Sequence, residues 1–104
     1  MPKKSSKKEE VVKFSDVYKG SLNADGRLTD FVNEVMIIEK VEFAEISNYG
    51  EVAIATVRIA DSTLRLYTFS QVLIKQLKAI KEIVDQGKKV EAHLVRRKRY
   101  YTFE

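Results

Sequence analysis

Residues 64–77 read LRLYTFSQVLIKQL, and within this stretch the spacing of the apolar residues changes. Leu64 and Leu66 stand two positions apart, as residues on one face of a β-strand do. From Val72 onward the apolar residues recur every three or four positions, as on one face of a helix. Ser70 lies between the two patterns and is a favoured N-cap residue. The stretch therefore predicts a strand that leads directly into an amphipathic helix.

The helical spacing continues beyond this stretch and predicts one helix over residues 71–86. Lysines and Glu82 take the polar face, and Gly87 follows as a suitable residue for the position just after the helix end. The predicted apolar face holds Val72, Leu73, Gln76, Leu77, Ile80, Ile83 and Val84.

Upstream of residue 64 the sequence is rich in β-branched residues and predicts two further strands. One covers residues 51–60 (EVAIATVRIA), and a longer one covers residues 35–46. The apolar positions in the two halves of the longer strand do not share one alternation, so a bulge is expected near Glu39 and Lys40. Turn-forming residues separate the strands: residues 47–50 (SNYG), then Asp61-Ser62.

Downstream of the helix, apolar and polar residues alternate again from residue 90 to residue 94 and predict a fourth strand. Residues 96–99 (RRKR) form a charged loop, and residues 100–103 predict a fifth strand. The order is three strands, one helix and two strands. A single switch of hydrophobic period, from two to about 3.6 and back, defines this layout.

A helix placed only between the third and fourth of five strands is the layout of the Greek-key OB barrel. In this respect the chain resembles OB-fold proteins that bind single-stranded nucleic acid. The resemblance extends over about residues 35–104, and its clearest stretches are residues 64–77 and residues 93–103 (HLVRRKRYYTF). It implies a mainly β, five-stranded antiparallel OB-fold barrel with one helix, in a single domain over residues 11–104.

The charge of the chain is concentrated at its two ends. Its 104 residues include 19 Lys+Arg and 15 Asp+Glu, a net charge of +4. Residues 1–10 carry +2 and residues 88–104 carry +4, whereas residues 11–87 carry −2. Residues 1–10 (MPKKSSKKEE) have no apolar periodicity and are predicted to be a disordered basic tail. Cations gathered in this way indicate an anionic partner, and nucleic acid is the leading candidate.

Several kinds of chemistry are not expected from the composition. The chain has no cysteine and one histidine, His93, so thiolate metal sites and cysteine nucleophiles are excluded. Glu39, Glu42 and Glu45 change face at three-residue spacing on a strand, so they are not expected to converge. We therefore expect no catalysis, no metal and no cofactor. The sequence also lacks a membrane-length apolar run, and we expect a cytoplasmic protein.

Alternation and the resemblance together give candidate binding residues. Alternation places Arg65, Tyr67 and Phe69 on the face opposite Leu64 and Leu66. In OB folds the ligand crosses strands two and three between the loops that join strands one to two and four to five. The resulting set is Tyr49, Thr56, Arg58, Arg65, Tyr67, Phe69, Arg96, Arg97, Lys98, Arg99 and Tyr100.

These residues indicate binding of single-stranded DNA, or of RNA, with little sequence specificity. Aromatic rings would stack on bases, and the cations would contact phosphates. Two alternatives from other classes remain: an OB-fold adaptor for a partner protein, and a binder of structured RNA. For Tyr67 and Phe69 a role in packing beneath the helix or the N-terminal segment also remains open, and the RRKR run could be only a solvated loop.

Overall fold

The computed structural model describes residues 23–46 and 49–104. Its helix α1 (Gln71–Val84) joins the fourth strand to the fifth, and a short 3-10 helix (Leu28–Phe31) joins the first strand to the second. The predicted basic tail, residues 1–10, lies outside the described residues. The strands are β1 (Gly26–Arg27), β2 (Val35–Ile46), β3 (Gly50–Ile59), β4 (Ser62–Thr68), β5 (Val90–Arg96) and β6 (Tyr101–Phe103).

The six strands form one curled, mixed sheet, a half-barrel with the strand order β1-β4-β3-β2-β5-β6. β2, β3 and β4 form an antiparallel meander, and β5 pairs antiparallel with the other side of β2. β6 returns antiparallel along β5. The expectation of a mainly β chain with one helix in this position is confirmed for the described residues. The sheet differs from that expectation by a sixth strand, β1, which pairs with β4 in parallel.

The added strand β1 is held in register by the residues before it. Asp25 donates its backbone N–H to the carbonyl oxygen of Arg65 (2.7 Å), and its Oδ2 accepts from the N–H of Arg65 (2.8 Å). The guanidinium of Arg65 also donates to the carbonyl oxygen of Asn23 (2.9 Å). Because β1 has only two residues, it is too short for an alternation of apolar residues to predict it from the sequence.

The bulge expected near Glu39 and Lys40 is confirmed. Ile38 pairs with Val57 and Lys40 with Thr56, so Glu39 is the additional residue of β2. The insertion keeps apolar residues of both halves of β2 on the core face, including Ile38 and Val41. It also corrects one expectation: Glu39 and Glu42 lie on the same face, because the bulge at Glu39 shifts the alternation of the residues that follow it. Each forms an ion pair with an arginine on the side of the sheet opposite the core.

The main core lies between the concave face of the sheet and α1, which packs against β2, β3, β5 and β6. Gln76, on the core-facing side of the helix, binds β6 with its amide. Its Nε2 donates to Thr102 Oγ1 (2.7 Å), and its Oε1 accepts from the N–H of Phe103 (3.0 Å). The buried core residues are Leu28, Met36, Ile38, Val41, Ala53, Ala55, Val57, Leu66, Leu73, Ile74, Leu77, Val84, Ala92 and Leu94.

The ends of α1 follow the sequence prediction closely. Ser70 is the N-cap, and its Oγ accepts from the N–H of Leu73 (3.3 Å). The helix ends at Val84, two residues before the predicted end, and a turn follows it. In that turn Gly87 has a φ of +89°, which glycine adopts without steric cost.

The turn between β3 and β4 generates a stability prediction. The turn is Ala60–Asp61, one residue earlier than expected, and Ala60 has a φ of +54°. A left-handed conformation costs an L-residue roughly 1–2 kcal/mol. Ala60→Gly should therefore raise the free energy of unfolding by roughly 0.5–1 kcal/mol, measured by urea denaturation.

Asp61→Gly is the matched control, because Asp61 has no positive φ. Glycine there adds only conformational entropy to the unfolded chain and should lower stability. Equal effects of the two substitutions would contradict the assigned turn geometry.

Candidate nucleic-acid interface

One end of the sheet's outer face, the face turned away from α1, is apolar and covered. Val52, Ile54 and Tyr67 are buried there as a second cluster, with Phe69 packed against it. Tyr67 is 4% exposed and meets Phe69 edge to face, with ring centroids 5.9 Å apart. In this conformation Tyr67 packs against apolar neighbours and offers no face to a base. Stacking on its ring, as the sequence suggested, would require the cluster to open.

The other end of the outer face is ionic, and four cations share two carboxylates there. Glu39 Oε2 lies 3.3 Å from Arg58 and 3.4 Å from Lys89. Glu42 Oε2 lies 3.0 Å from Arg65 and 3.4 Å from Lys40. A phosphate bound at either arginine would have to share the guanidinium with a carboxylate. Thr56, half-buried on β3, pairs with Lys40 on one side and Arg65 on the other.

The ion pair between Glu42 and Arg65 changes the titration of the carboxyl group. The hydrogen bond from the Arg65 guanidinium holds the pKa of Glu42 below its ordinary value. The charges of Arg65 and Lys40 act in the same direction, and partial burial opposes them. The carboxylate form is therefore the form that the folded sheet favours.

Cations without carboxylate partners lie in the loop between β5 and β6. This segment, the basic loop, comprises residues 96–100, and the N–H of Arg97 closes it by donating to the carbonyl oxygen of Tyr100 (2.7 Å). Lys98 and Arg99 are exposed and have no hydrogen bond or ion pair to any described residue. Tyr100, beside them, is 48% exposed. The basic loop thus combines two available cations with an accessible ring.

The two remaining cations of the basic loop already have neighbours. Arg97 forms an ion pair with Glu104 near the end of the chain. Arg96 lies over the ring of Tyr101, with its guanidinium carbon 5.8 Å from the ring centroid. Arg96 keeps its charge available on the side away from the ring, since a cation–π contact does not neutralise it.

Tyr49 lies apart from the basic loop along β2. It is 55% exposed and follows β2 at the hairpin turn, where its N–H donates to the carbonyl oxygen of Ile46 (2.9 Å). β5 runs beside Val35–Ile38 at the other end of β2, and the basic loop extends beyond that end. The twelve residues of β2 therefore separate the two candidate regions.

Sequence reasoning missed a cleft between the two ends of the half-barrel. This seam cleft, of about 270 Å³, is lined by Arg27, Thr29, Tyr67, Thr68, Phe69, Ser70 and Tyr101. Its walls come from β1, the 3-10 helix, the end of β4 and β6. Because the curl of the sheet brings these segments together, no local sequence pattern could reveal the cleft.

The described residues contain neither a group of side chains placed to hold a metal ion nor a helix that could cross a membrane. Residues 23–46 and 49–104 contain no group of three or more His, Asp or Glu side chains placed to hold a metal ion. Within the same residues, no helix is both long enough and apolar enough to cross a membrane.

Comparison with known proteins does not add to this picture. The chain matches no protein-family model, no curated protein and no solved structure.

The lowered pKa of Glu42 generates a prediction about acid stability. Stability from the Glu42–Arg65 pair is present above the ordinary glutamate pKa and is lost as the pH falls through the folded-state value. The stability difference between wild type and Glu42→Gln should therefore shrink as the pH falls below ~5. Urea denaturation at several pH values measures it.

Glu45→Gln is the control, because Glu45 forms no ion pair with any described residue. Its stability difference from wild type should stay nearly constant over the same pH range. A constant difference for Glu42→Gln as well would contradict the role given to Arg65.

Proposed function

We propose that the protein binds single-stranded nucleic acid without catalysis, DNA ahead of RNA, through the basic loop. The observation that carries the proposal is the composition of that loop. Lys98 and Arg99 have no partner among the described residues, and the half-exposed ring of Tyr100 lies beside them. Phosphates would contact the two cations, and a base would stack on the ring. The cell compartment proposed for this activity is the cytoplasm.

The chemistry of a single strand suits this arrangement. Its phosphates carry one negative charge per nucleotide, and cations that bind them release condensed counterions. Its bases are unpaired, so their faces can stack on an aromatic side chain whatever the sequence. A ring next to two cations can therefore contact both the base and the phosphate of one nucleotide. Little sequence specificity is expected, since none of these contacts reads the edge of a base.

The strand connectivity supports an OB-type barrel as part of the proposal. β2 is flanked by β3 and β5, α1 lies between β4 and β5, and β6 returns beside β5. This is the order of an OB barrel, apart from the additional β1 and the missing pairing of β4 with β6. In that layout the basic loop is one of the two loops that border the ligand, and the turn at Tyr49 belongs to the other.

The remaining candidate residues take secondary roles in the proposal. Arg58 and Arg65 would contribute little direct binding, because each is paired with a carboxylate. Lys40 and Lys89 share those two carboxylates, so the group as a whole would still contribute positive potential. Tyr49 would bind a more distant part of a longer strand. No metal or cofactor takes part in this mechanism.

The adaptor alternative finds less support in the distribution of exposed apolar residues. A protein-binding surface usually presents a contiguous apolar patch. Here the large exposed apolar side chains are divided among the start of β2, the β2–β3 turn, α1 and the basic loop. They are Val35, Tyr49, Val72, Ile83 and Tyr100.

Removing charge from the basic loop should lower the affinity for oligo-dT and weaken the dependence of that affinity on salt concentration. For Lys98→Gln with Arg99→Gln, the slope of log affinity against log salt should fall by about 0.7 per lost phosphate contact. Fluorescence anisotropy of a labelled oligo-dT at several salt concentrations measures both quantities.

The matched control is Lys75→Gln with Lys88→Gln, which removes the same charge elsewhere. Both lysines are exposed, and neither forms an ion pair with a described residue. If the two double variants lose equal affinity, net charge rather than the basic loop governs binding. If wild type binds duplex DNA or hairpin RNA better than oligo-dT, the single-strand proposal is wrong.

Removal of the Tyr100 ring should lower the affinity without changing its salt dependence. Tyr100→Ala should weaken oligo-dT binding by about 1–3 kcal/mol and leave the salt slope nearly unchanged, because a neutral ring releases no counterions. Tyr100→Phe should bind like wild type, since stacking needs the ring and not the hydroxyl. Full affinity in a folded Tyr100→Ala variant, checked by circular dichroism, would remove stacking at Tyr100 from the mechanism.

A further inference from the structure

The seam cleft has the size and lining of a site for one small, flat ligand. Its volume of about 270 Å³ lies just below the range typical of drug-sized ligands. The rings of Phe69 and Tyr101 supply apolar faces, and the hydroxyls of Thr29 and Ser70 supply hydrogen-bonding groups. This combination of aromatic faces with a few polar groups suits a nucleobase.

The cleft is also continuous with the basic loop. Tyr101 lines the cleft and immediately follows Tyr100 in the chain. The guanidinium of Arg96, the first residue of the basic loop, lies over the Tyr101 ring. A strand whose phosphates contact Lys98 and Arg99 could therefore extend to the cleft.

Arg27 adds positive charge at the opposite wall. Its guanidinium donates to Asp30 Oδ1 (3.0 Å), and about half of each side chain is exposed. An exposed ion pair of this kind contributes little stability, so Arg27 is free to turn towards a phosphate. Cationic side chains thus flank the cleft on two sides: Arg27, which is paired with Asp30, and Arg96.

We propose that the seam cleft takes one unstacked base of the strand that the basic loop binds. The inference rests on the proposed function, because the basic loop supplies the charge that brings the strand to the cleft. It differs from that proposal in assigning a second base site, in the open cleft between β4 and β6.

An NMR titration of the ¹⁵N-labelled full chain tests the inference without any substitution. Oligo-dT should shift the amide signals of Lys98 and Arg99 and also those of Thr29, Thr68 and Ser70. An abasic oligonucleotide of equal length should shift only the signals of the basic loop, because it carries phosphates without bases.

Other results of the titration would contradict either the base site or the proposed function. Cleft signals that stay unchanged while the basic-loop signals shift would overturn the base site and leave the proposed function intact. Equal cleft shifts with the abasic strand would also overturn it, since the cleft would then bind backbone. No shift anywhere with oligo-dT would overturn the proposed function itself. Cleft shifts caused only by an extended apolar peptide would assign the cleft to a protein partner and overturn the proposal.

A fluorescence measurement provides an independent test. The chain contains no tryptophan, so Phe69→Trp introduces a single reporter at the cleft. Oligo-dT should quench this tryptophan by stacking, whereas the abasic strand should not. Ile83→Trp is the control, because Ile83 lies at the far end of α1, about 20 Å along the helix from Ser70. Equal quenching at both positions, in variants that circular dichroism shows to be folded, would contradict the proposed site.

Discussion

The bulge at Glu39 is the constraint on which the rest of the sheet depends. β2 must pair with β3 along most of its length and with β5 along its first four paired residues. Without the bulge, Ile38 and Val41 would lie on opposite faces of the sheet, because they are an odd number of residues apart. The extra residue restores Val41 to the core and bends the strand. The curled sheet around α1 follows from this bend.

The same bulge determines where positive charge remains available. By placing Glu39 and Glu42 on one face, it supplies a carboxylate to Arg58 and another to Arg65. The two arginines that alternation placed on the outer face are therefore already paired with carboxylates. At the other end of that face the apolar residues are buried around Tyr67. Lys98 and Arg99, which have no ion pair with any described residue, lie in a loop instead, so the basic loop rather than the strands is the proposed binding region.

Local patterns in the sequence predicted the elements well, but not their long-range contacts. The helix, its N-cap at Ser70 and the bulge each depend on residues close in sequence, so spacing alone indicates them. The pairing of Asp25 with Arg65 joins segments 40 residues apart, and no pattern in either segment announces it. The burial of Tyr67 could not be predicted either. Alternation gives the face on which a ring lies, and not what covers that face.

The absence of pairing between β4 and β6 is compatible with a stable fold, because a side chain replaces strand pairing at β6. In a closed barrel, β6 would satisfy its outward backbone groups by pairing with β4. Here the N–H of Phe103 donates instead to Gln76 of α1, whose amide also binds Thr102. One glutamine on the apolar face of the helix thus fixes β6 without closing the sheet. The space left between β4 and β6 is the seam cleft, so the contact that holds the edge strand is compatible with an open cleft near the basic loop.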